Sequence, residues 1–374
     1  MSFNDIVNQE IAKKVLKSAI KENKVHHSYL FFGPEGCGKK DTALEFIKVL
    51  NCLDKKNDEA CDSCSSCKKS IKNVHPDVMW VSASGAKQVI GINAIRQLEH
   101  FTQLKSLEVK YKIALIERPE KLTKEAGNCF LKTLEEPPRN VIIILLTAFP
   151  DKILPTIVSR CQKIKFLALN PKEGIEILKK KFNLEENQAH MLYFVCSGKT
   201  KWIQLWIEAA LWNLRDEIFD VFINIFSKEK RDYTAPLKLA DSMMEMVSNF
   251  TDKVKKEKQD SINEFKENLS SSQIKNIKAF KQAETEELKK ELIKIIFSVI
   301  KSFYADIFSI SCETGFIINL DKEISLKRKT VNFSHSYLNN AIKEIENSNT
   351  LLDLGANLQL IFQVLCINLF CGEK

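Results

Sequence analysis

The chain has 374 residues, of which 44 % are hydrophobic, so it can form the buried cores of two or three globular domains. Its 56 lysines and arginines outnumber 48 acidic residues and give a net charge of +8, which is compatible with nucleic-acid binding but does not require it. We expect a cytoplasmic protein without a membrane anchor, because no run of about 18 uncharged apolar residues occurs and the first ten residues are too polar for a signal sequence.

A glycine-rich loop follows the first predicted strand, which covers Tyr29 to Phe32 and comes after a predicted helix at Ile11 to Ile20. In a phosphate-binding loop, a glycine is followed after four residues by Gly-Lys and then by Ser or Thr. The candidate phosphate ligands in this pattern are Gly33, Gly36, Gly38 and Lys39. Backbone N–H groups of such a loop bind phosphates together with the positive end of the next helix. A glycine-rich turn before a helix also occurs by chance, so further motifs are needed.

Two departures from the ATPase pattern lie in and after this loop. Lys40 replaces the Ser or Thr whose hydroxyl holds Mg²⁺, and its ammonium repels the ion, so we expect phosphoryl transfer to fail even where nucleotide binds. After the predicted strand Ile113 to Ile116, an ATPase carries an Asp for Mg²⁺ and then a Glu that orients water. Glu117 keeps a carboxylate at the first position, whereas Arg118 cannot act as a base. The alternative is a surface charge cluster at a strand end.

Four of the eleven cysteines lie in a polar segment after the amphipathic helix Lys39 to Leu50. They are Cys52, Cys61, Cys64 and Cys67. A long chain without a signal sequence favours thiols or metal ligands over disulfides. The CxxC spacing suits tetrahedral Zn²⁺, while the CxxCxxC run also fits iron–sulfur ligation, although the Cys-Pro context of that motif is absent. We predict a structural zinc site, since four protein ligands leave no open position for catalysis.

Strands and helices continue to alternate after the cysteines. The predicted elements are a strand at Asp77 to Ser82, a helix at Gly91 to Leu104, a helix at Lys124 to Glu135, a strand at Val141 to Leu146 and a short strand after Arg160. Pro137 and Pro138 stop the second of these helices. The continuous apolar run VIIILL is typical of a central parallel strand covered on both faces. The pattern predicts a doubly wound α/β domain ending near Leu167.

The order of these motifs resembles the clamp-loader subunits of bacterial DNA polymerase III, which belong to the AAA+ family. The resemblance covers about residues 1 to 170. It rests on the loop, the four cysteines, HPD at His75 to Asp77, AGNCFLKTLEEPP at Ala126 to Pro138 and LPTIVSRC at Leu154 to Cys161. It implies an α/β AAA+ domain at 1–168 (a parallel sheet with helices on both faces), with a zinc module at 52–67. A small helical lid domain at 169–213 and an all-α collar domain at 214–374, through which subunits associate, would follow.

The resemblance also implies a role for the SRC motif. In the family this motif supplies an arginine finger to the ATP site of a neighbouring subunit, so Arg160, with Ser159 beside it, is the implied catalytic residue in trans. Taken alone, Arg160 is a surface charge at a helix end. The implied partners are the gamma/tau and delta subunits, with the sliding clamp and primer-template DNA reached through the complex.

Within the family, Lys40, Glu117 and Arg118 depart from the ATPase pattern, and the chain lacks the long extension of a tau form. These departures favour the delta-prime type, a stator without its own ATP hydrolysis, while Gly33, Gly38 and Lys39 leave ATP or ADP binding open. The alternatives are an active gamma-type ATPase subunit and an unrelated P-loop ATPase or nucleotide kinase. A kinase would need a lid and substrate arginines, which we do not find.

Beyond residue 170 the motifs fade and the pattern is helical. A stripe formed by Trp202, Trp206 and Trp212 is predicted to face a core rather than to stack on bases. Lys201 aligns loosely with the family's second-sensor arginine. A lysine- and glutamate-rich insertion at 252–290 is expected to be a solvated helix pair without a DNA role.

Overall fold

The computed structural model describes all residues except 1, 7, 56–58, 84–88, 228–233, 265–270, 330–332 and 372–374. The chain divides into two compact units, residues 1–168 with 255–284 and residues 169–254 with 285–374. The first unit contains a five-stranded sheet in the order β2-β3-β4-β1-β5, and all its neighbouring strands are parallel. This is the parallel α/β domain, with helices on both faces of the sheet, that the alternation of strands and helices predicts.

The elements of the first unit follow the predicted bounds closely. The strands are β1 (Ser28–Phe32), β2 (Val78–Val81), β3 (Lys112–Glu117), β4 (Val141–Thr147) and β5 (Gln162–Lys165). The helices are α1 (Glu10–Lys21), α2 (Lys39–Asn51), α3 (Ser65–Ile71), α4 (Ile92–Gln103), α5 (Lys124–Glu135) and α6 (Pro155–Val158), with short 3-10 turns at Phe3–Asp5, Pro119–Lys121 and Pro150–Lys152.

Helices cover both faces of the sheet. Every residue of β4 is buried, and alternate side chains enter different cores. Ile142 and Ile144 lie in a core with side chains of α1 and α2, whereas Ile143 and Leu145 lie in a core with side chains of α4 and α5. This two-sided burial is the physical reason for the uninterrupted apolar run in the sequence.

The sheet order brings two candidate segments to the same edge. The glycine-rich loop leaves the carboxyl end of β1, which pairs with β4, and β4 pairs in turn with β3. Glu117 ends β3 in register with Leu146 of β4. Because parallel strands share the direction of their carboxyl ends, the loop and Glu117 lie at one edge, where ligands bind in open α/β sheets.

The second unit is helical. Its helices are α7 (Pro171–Phe182), α8 (Glu186–Val195), α9 (Thr200–Glu208), α10 (Trp212–Ser227), α13 (Glu323–Lys329), α14 (His335–Asp353) and α15 (Leu358–Cys371), with a 3-10 turn at Leu320–Lys322. Two long helices, α11 (Thr234–Glu264) and α12 (Ser271–Ser311), contribute residues to both units. The division into lid and collar stays a prediction, because both ranges fall in one compact unit. Across the described parts of the chain, no helix is long and apolar enough to cross a membrane.

The tryptophan stripe of the second unit packs inward. Trp202 and Trp206 are buried, and the rings of Trp206 and Trp212 meet edge to face at 5.5 Å. The core prediction for this stripe is therefore confirmed for the first two tryptophans. Lys201 pairs with Glu291 at 2.8 Å within the same unit.

The charged insertion differs from the expected solvated helix pair. Residues 255–284 belong to the α/β unit, and Ile262 and Phe280 are only 2 % and 7 % exposed. The helix pair is confirmed, and most of its described residues are exposed or half-buried, but the pair is not solvated on all sides. Two apolar side chains spaced among many charges carry little periodic signal, although they are enough to form a contact. Residues 265–270 of the insertion lie outside the described part of the chain.

Candidate phosphate site and cysteine cluster

The loop between β1 and α2 has a conformation that requires glycine. Gly33, Gly36 and Gly38 have φ angles of 151°, 72° and 85°. A Cβ atom on Gly33 would lie 2.3 Å from the carbonyl oxygen of Phe166, so no other residue fits there. Gly38 is the left-handed N-cap of α2, and the first N–H groups of a helix have no intrahelical partner. Helix N-termini of this kind can bind anions, and the phosphate site at this loop stays a prediction.

Lys39 places its ammonium inside this loop. Its Nζ donates to the carbonyl oxygens of Gly33 at 2.7 Å and Pro34 at 2.5 Å. Burial lowers the pKa of Lys39, and the nearby Cys37, Glu35 and Glu120 act in the opposite direction. The Lys39 ammonium therefore lies within the loop, where it is bound to two of the loop's carbonyl oxygens.

Lys40 makes contacts that sequence reasoning did not foresee. Its Nζ lies 2.9 Å from a carboxylate oxygen of Glu117 and 2.9 Å from one of Glu284. The same atom lies 5.1 Å and 5.4 Å from the ring centres of Trp80 and Phe280. Burial opposes the charge, but the two carboxylates outweigh it and raise the pKa of Lys40. The carboxylate that an ATPase uses for Mg²⁺ is paired here with an ammonium.

The residues after Glu117 complete this edge of the sheet. Arg118 adopts a left-handed backbone conformation with φ of 54°, and its half-exposed guanidinium lies 3.9 Å from the carboxylate of Glu35. Glu120 accepts a hydrogen bond of 2.8 Å from the hydroxyl of Thr147, which ends β4. Glu120 is therefore a fixed carboxylate near Lys39 to which the sequence assigned no role, because its partner comes from another strand.

The SRC motif is anchored through its backbone and exposed at its arginine. Ser28 of β1 donates a hydrogen bond of 2.6 Å to the carbonyl oxygen of Arg160. The guanidinium donates to Glu135 at 2.6 Å and to the carbonyl oxygen of Thr156 at 2.9 Å, while Ser159 donates to the same carbonyl at 3.1 Å. The structure brings Arg160 to Glu135 rather than to the phosphate loop of its own chain.

The four predicted metal ligands converge. The Sγ atoms of Cys52, Cys61, Cys64 and Cys67 all lie within 4.8 Å of one another. A zinc ion with Zn–S bonds of about 2.3 Å needs sulfur atoms roughly 3.8 Å apart, so the cluster has a suitable size. Backbone N–H groups of Cys61, Cys64 and Cys67 point to the sulfur atoms of Cys52, Cys61 and Cys64 at 3.3 to 3.4 Å. Such contacts favour thiolates, the form that binds metal.

The HPD motif ties the cysteine segment to the sheet. The Nε2 atom of His75 lies 3.1 Å from the hydroxyl of Ser66, which itself donates to the carbonyl oxygen of Asn51 at 2.7 Å. Burial lowers the pKa of His75 to about 4, so the ring is neutral, and its Nδ1 accepts the N–H of Asp77. The Asp77 carboxylate accepts the N–H groups of Leu107 and its neighbour at 2.8 to 3.0 Å. This family motif therefore has a structural role here.

Comparison with known proteins agrees with these motifs. Residues 8–170 match the family model described as "DNA polymerase III, delta subunit". The chain is 36 % identical to the DNA polymerase III tau subunit of Bacillus subtilis, over 50 % of this chain and 32 % of that protein. It is 36 % identical to the delta' subunit of the same bacterium, over 42 % of this chain and 47 % of that protein, and 35 % identical to the tau/gamma subunit of Haemophilus influenzae, over 45 % and 24 %.

The family-model match lies at residues 8–170, and the chain spans less than half the length of each of these relatives. The chain is therefore similar to DNA polymerase III subunits of the tau, gamma and delta' types. The comparisons do not single out the delta-prime type, because tau and delta' relatives are equally similar.

Proposed function

We propose that this protein, whose N-terminal region is of the clamp-loader type, is a delta-prime-type subunit of the DNA polymerase III clamp loader and does not itself hydrolyse ATP. The observation that carries the proposal is the ion pair between Lys40 and Glu117. In a working site, a hydroxyl and a carboxylate at these two positions hold Mg²⁺, which neutralises charge as the phosphoryl group is transferred. An ammonium on that carboxylate opposes cation binding, and Arg118 offers no base for the attacking water.

Arg160 acts in trans in this proposal. Its side chain is 36 % exposed and that of Glu135 is 49 % exposed, so the bridge between them is a surface ion pair. Such a pair contributes about 1 kcal/mol or less, and releasing the guanidinium toward a partner's ATP therefore costs little. The hydrogen bond from Ser28 keeps the backbone of Arg160 in place while the side chain reorients.

The implied partners are the gamma/tau and delta subunits, and the sliding clamp and primer-template DNA are reached through the assembled loader. The cysteine cluster supplies a structural zinc site rather than a catalytic one, because four thiolates fill a tetrahedral shell. ATP or ADP binding through Lys39 and the loop glycines is compatible with this role.

Reconstitution of the loader tests the proposal. The wild-type chain is combined with tau, delta, the clamp and primed DNA, beside Arg160→Ala and a control, Arg139→Ala, which removes a different, exposed arginine. Both variants should assemble, and only Arg160→Ala should reduce DNA-stimulated ATP hydrolysis and clamp loading. One finger can be worth about 10³ to 10⁵ in rate at its own site, but the loss in a loader with several sites should be partial. Unchanged activity with intact assembly would reject the finger, and failure of the wild type to assemble would reject the clamp-loader role.

An active gamma-type subunit is the second candidate, because a tau relative is as similar as the delta' relative. ATP hydrolysis by the isolated chain separates the two.

A further inference from the structure

Part of the charged insertion docks on the phosphate-loop edge of the sheet. Residues 255–264 and 271–284, the inserted helix pair, are the ends of α11 and α12 that belong to the α/β unit. The Phe280 ring stacks on the Trp80 ring of β2, with centres 4.8 Å apart and planes 28° from parallel. Glu264 forms an ion pair with Lys72. Glu284 reaches Lys40, 244 positions earlier in the chain.

Glu284 is held from two sides. One carboxylate oxygen lies 2.9 Å from the Nζ of Lys40, and the other lies 2.9 Å from the Nζ of Lys258 in the same helix pair. The side chain of Glu284 is 18 % exposed and that of Lys40 is 26 % exposed. Charges with this little access to water are screened weakly, so their pairing is stronger than that of an exposed ion pair.

The ion pairs of Lys40 with Glu117 and Glu284 resemble the Mg²⁺ site of a working phosphate loop. In a working phosphate loop, Mg²⁺ lies between the loop hydroxyl, the strand-end carboxylate and phosphate oxygens. Here the Lys40 ammonium takes the position of the cation beside Glu117, and the Glu284 carboxylate supplies anionic oxygens on another side of it. The charges at the position of the metal are therefore balanced by side chains of this protein.

We propose that the inserted helix pair is a built-in clasp, in which Glu284 binds Lys40 at the phosphate loop. The clasp prevents Mg²⁺-nucleotide from binding between Lys40 and Glu117, and it keeps the helix pair docked whether or not nucleotide is bound. The proposal deepens the proposed function, on which it rests for the identity of the loop. A clasp of this kind suits a subunit that holds one conformation while its neighbours respond to ATP.

Amide hydrogen exchange tests the clasp in the full-length chain. Glu284→Gln removes the charge and keeps the shape, Lys40→Thr removes the same ion pair from the other side, and Glu286→Gln is the control because Glu286 is exposed on the same helix. Amides of 274–284 should exchange about ten-fold faster or more in the first two variants, since breaking one buried ion pair shifts local opening by at least this factor. The control should match the wild type.

The double variant separates the ion pair from independent effects. Lys40→Thr combined with Glu284→Gln should accelerate exchange by less than the product of the two single effects. The reason is that each single variant already removes the Lys40–Glu284 ion pair. Wild-type exchange rates in Glu284→Gln would overturn the clasp. If that variant fails to fold, Lys40→Thr with unchanged exchange would overturn it equally.

Nucleotide binding provides a second readout. ADP binding to the wild type should be no stronger with Mg²⁺ than without it. In the double variant, Mg²⁺ should strengthen ADP binding about ten-fold or more, because the introduced hydroxyl and the carboxylate of Glu117 can both face the ion. If Mg²⁺ strengthened ADP binding to the wild type, the proposal that the clasp excludes Mg²⁺ would be wrong. These measurements use the isolated chain, so a failed reconstitution would remove the clamp-loader role without changing their result.

Discussion

Replacing Glu284 should change how the stability of the protein depends on pH. Burial raises the pKa of Glu284, but Lys40 and Lys258 outweigh it and lower the value from the ordinary 4.5 to about 2. At about 1.4 kcal/mol for each tenfold change in proton affinity, this difference corresponds to about 3 kcal/mol at neutral pH. Because the folded pKa lies below the unfolded one, the stabilisation is complete above 4.5 and is lost as the pH falls toward 2.

The measurement is urea unfolding of the wild type, Glu284→Gln and the control Glu286→Gln, followed by circular dichroism. Glu284→Gln should be less stable by about 3 kcal/mol at pH 7, and this deficit should shrink by about 1 kcal/mol at pH 4, where the wild type has begun to lose its contribution. The control should follow the wild type at both values. A deficit of Glu284→Gln that stays constant between the two pH values would refute the electrostatic origin of the contribution.

Three further results are expected. The isolated chain should hydrolyse ATP more slowly than about 1 s⁻¹, the lower range for phosphoryl-transfer enzymes; faster turnover that Lys39→Ala abolishes would favour the active gamma-type subunit. Elemental analysis should find one zinc per chain, which Cys64→Ser loses and Cys312→Ser, an exposed thiol outside the cluster, retains. Absence of zinc from the wild type would end that claim. Asp77→Asn should lower the free energy of unfolding by about 2 kcal/mol, because hydrogen bonds to a charged acceptor are worth about 1.5 to 3 kcal/mol, and unchanged urea unfolding would contradict the structural role of the motif.

The sequence alone determined the elements of the α/β unit, because their signals are local. Helix α5 has the predicted bounds Lys124–Glu135, since the Thr123 hydroxyl caps its first turn and two prolines follow its end. The strand β4 is recognisable because every residue is apolar up to Leu146. The cysteine cluster was predictable for the same reason, as three of its four ligands lie within seven consecutive residues.

Only the tertiary structure decided which charges meet. Lys40 was visible in the sequence as a misplaced cation, but its partner Glu284 stands among many glutamates of a segment that has the composition of a solvated helix. Arg160 likewise has no sequence signal for its pairing with Glu135. Helical and strand periodicity report which face of an element is buried, whereas an ion pair between distant segments depends on the path of the whole chain. That path brings the inserted helix pair to the phosphate loop, where Lys40 forms ion pairs with both Glu117 and Glu284.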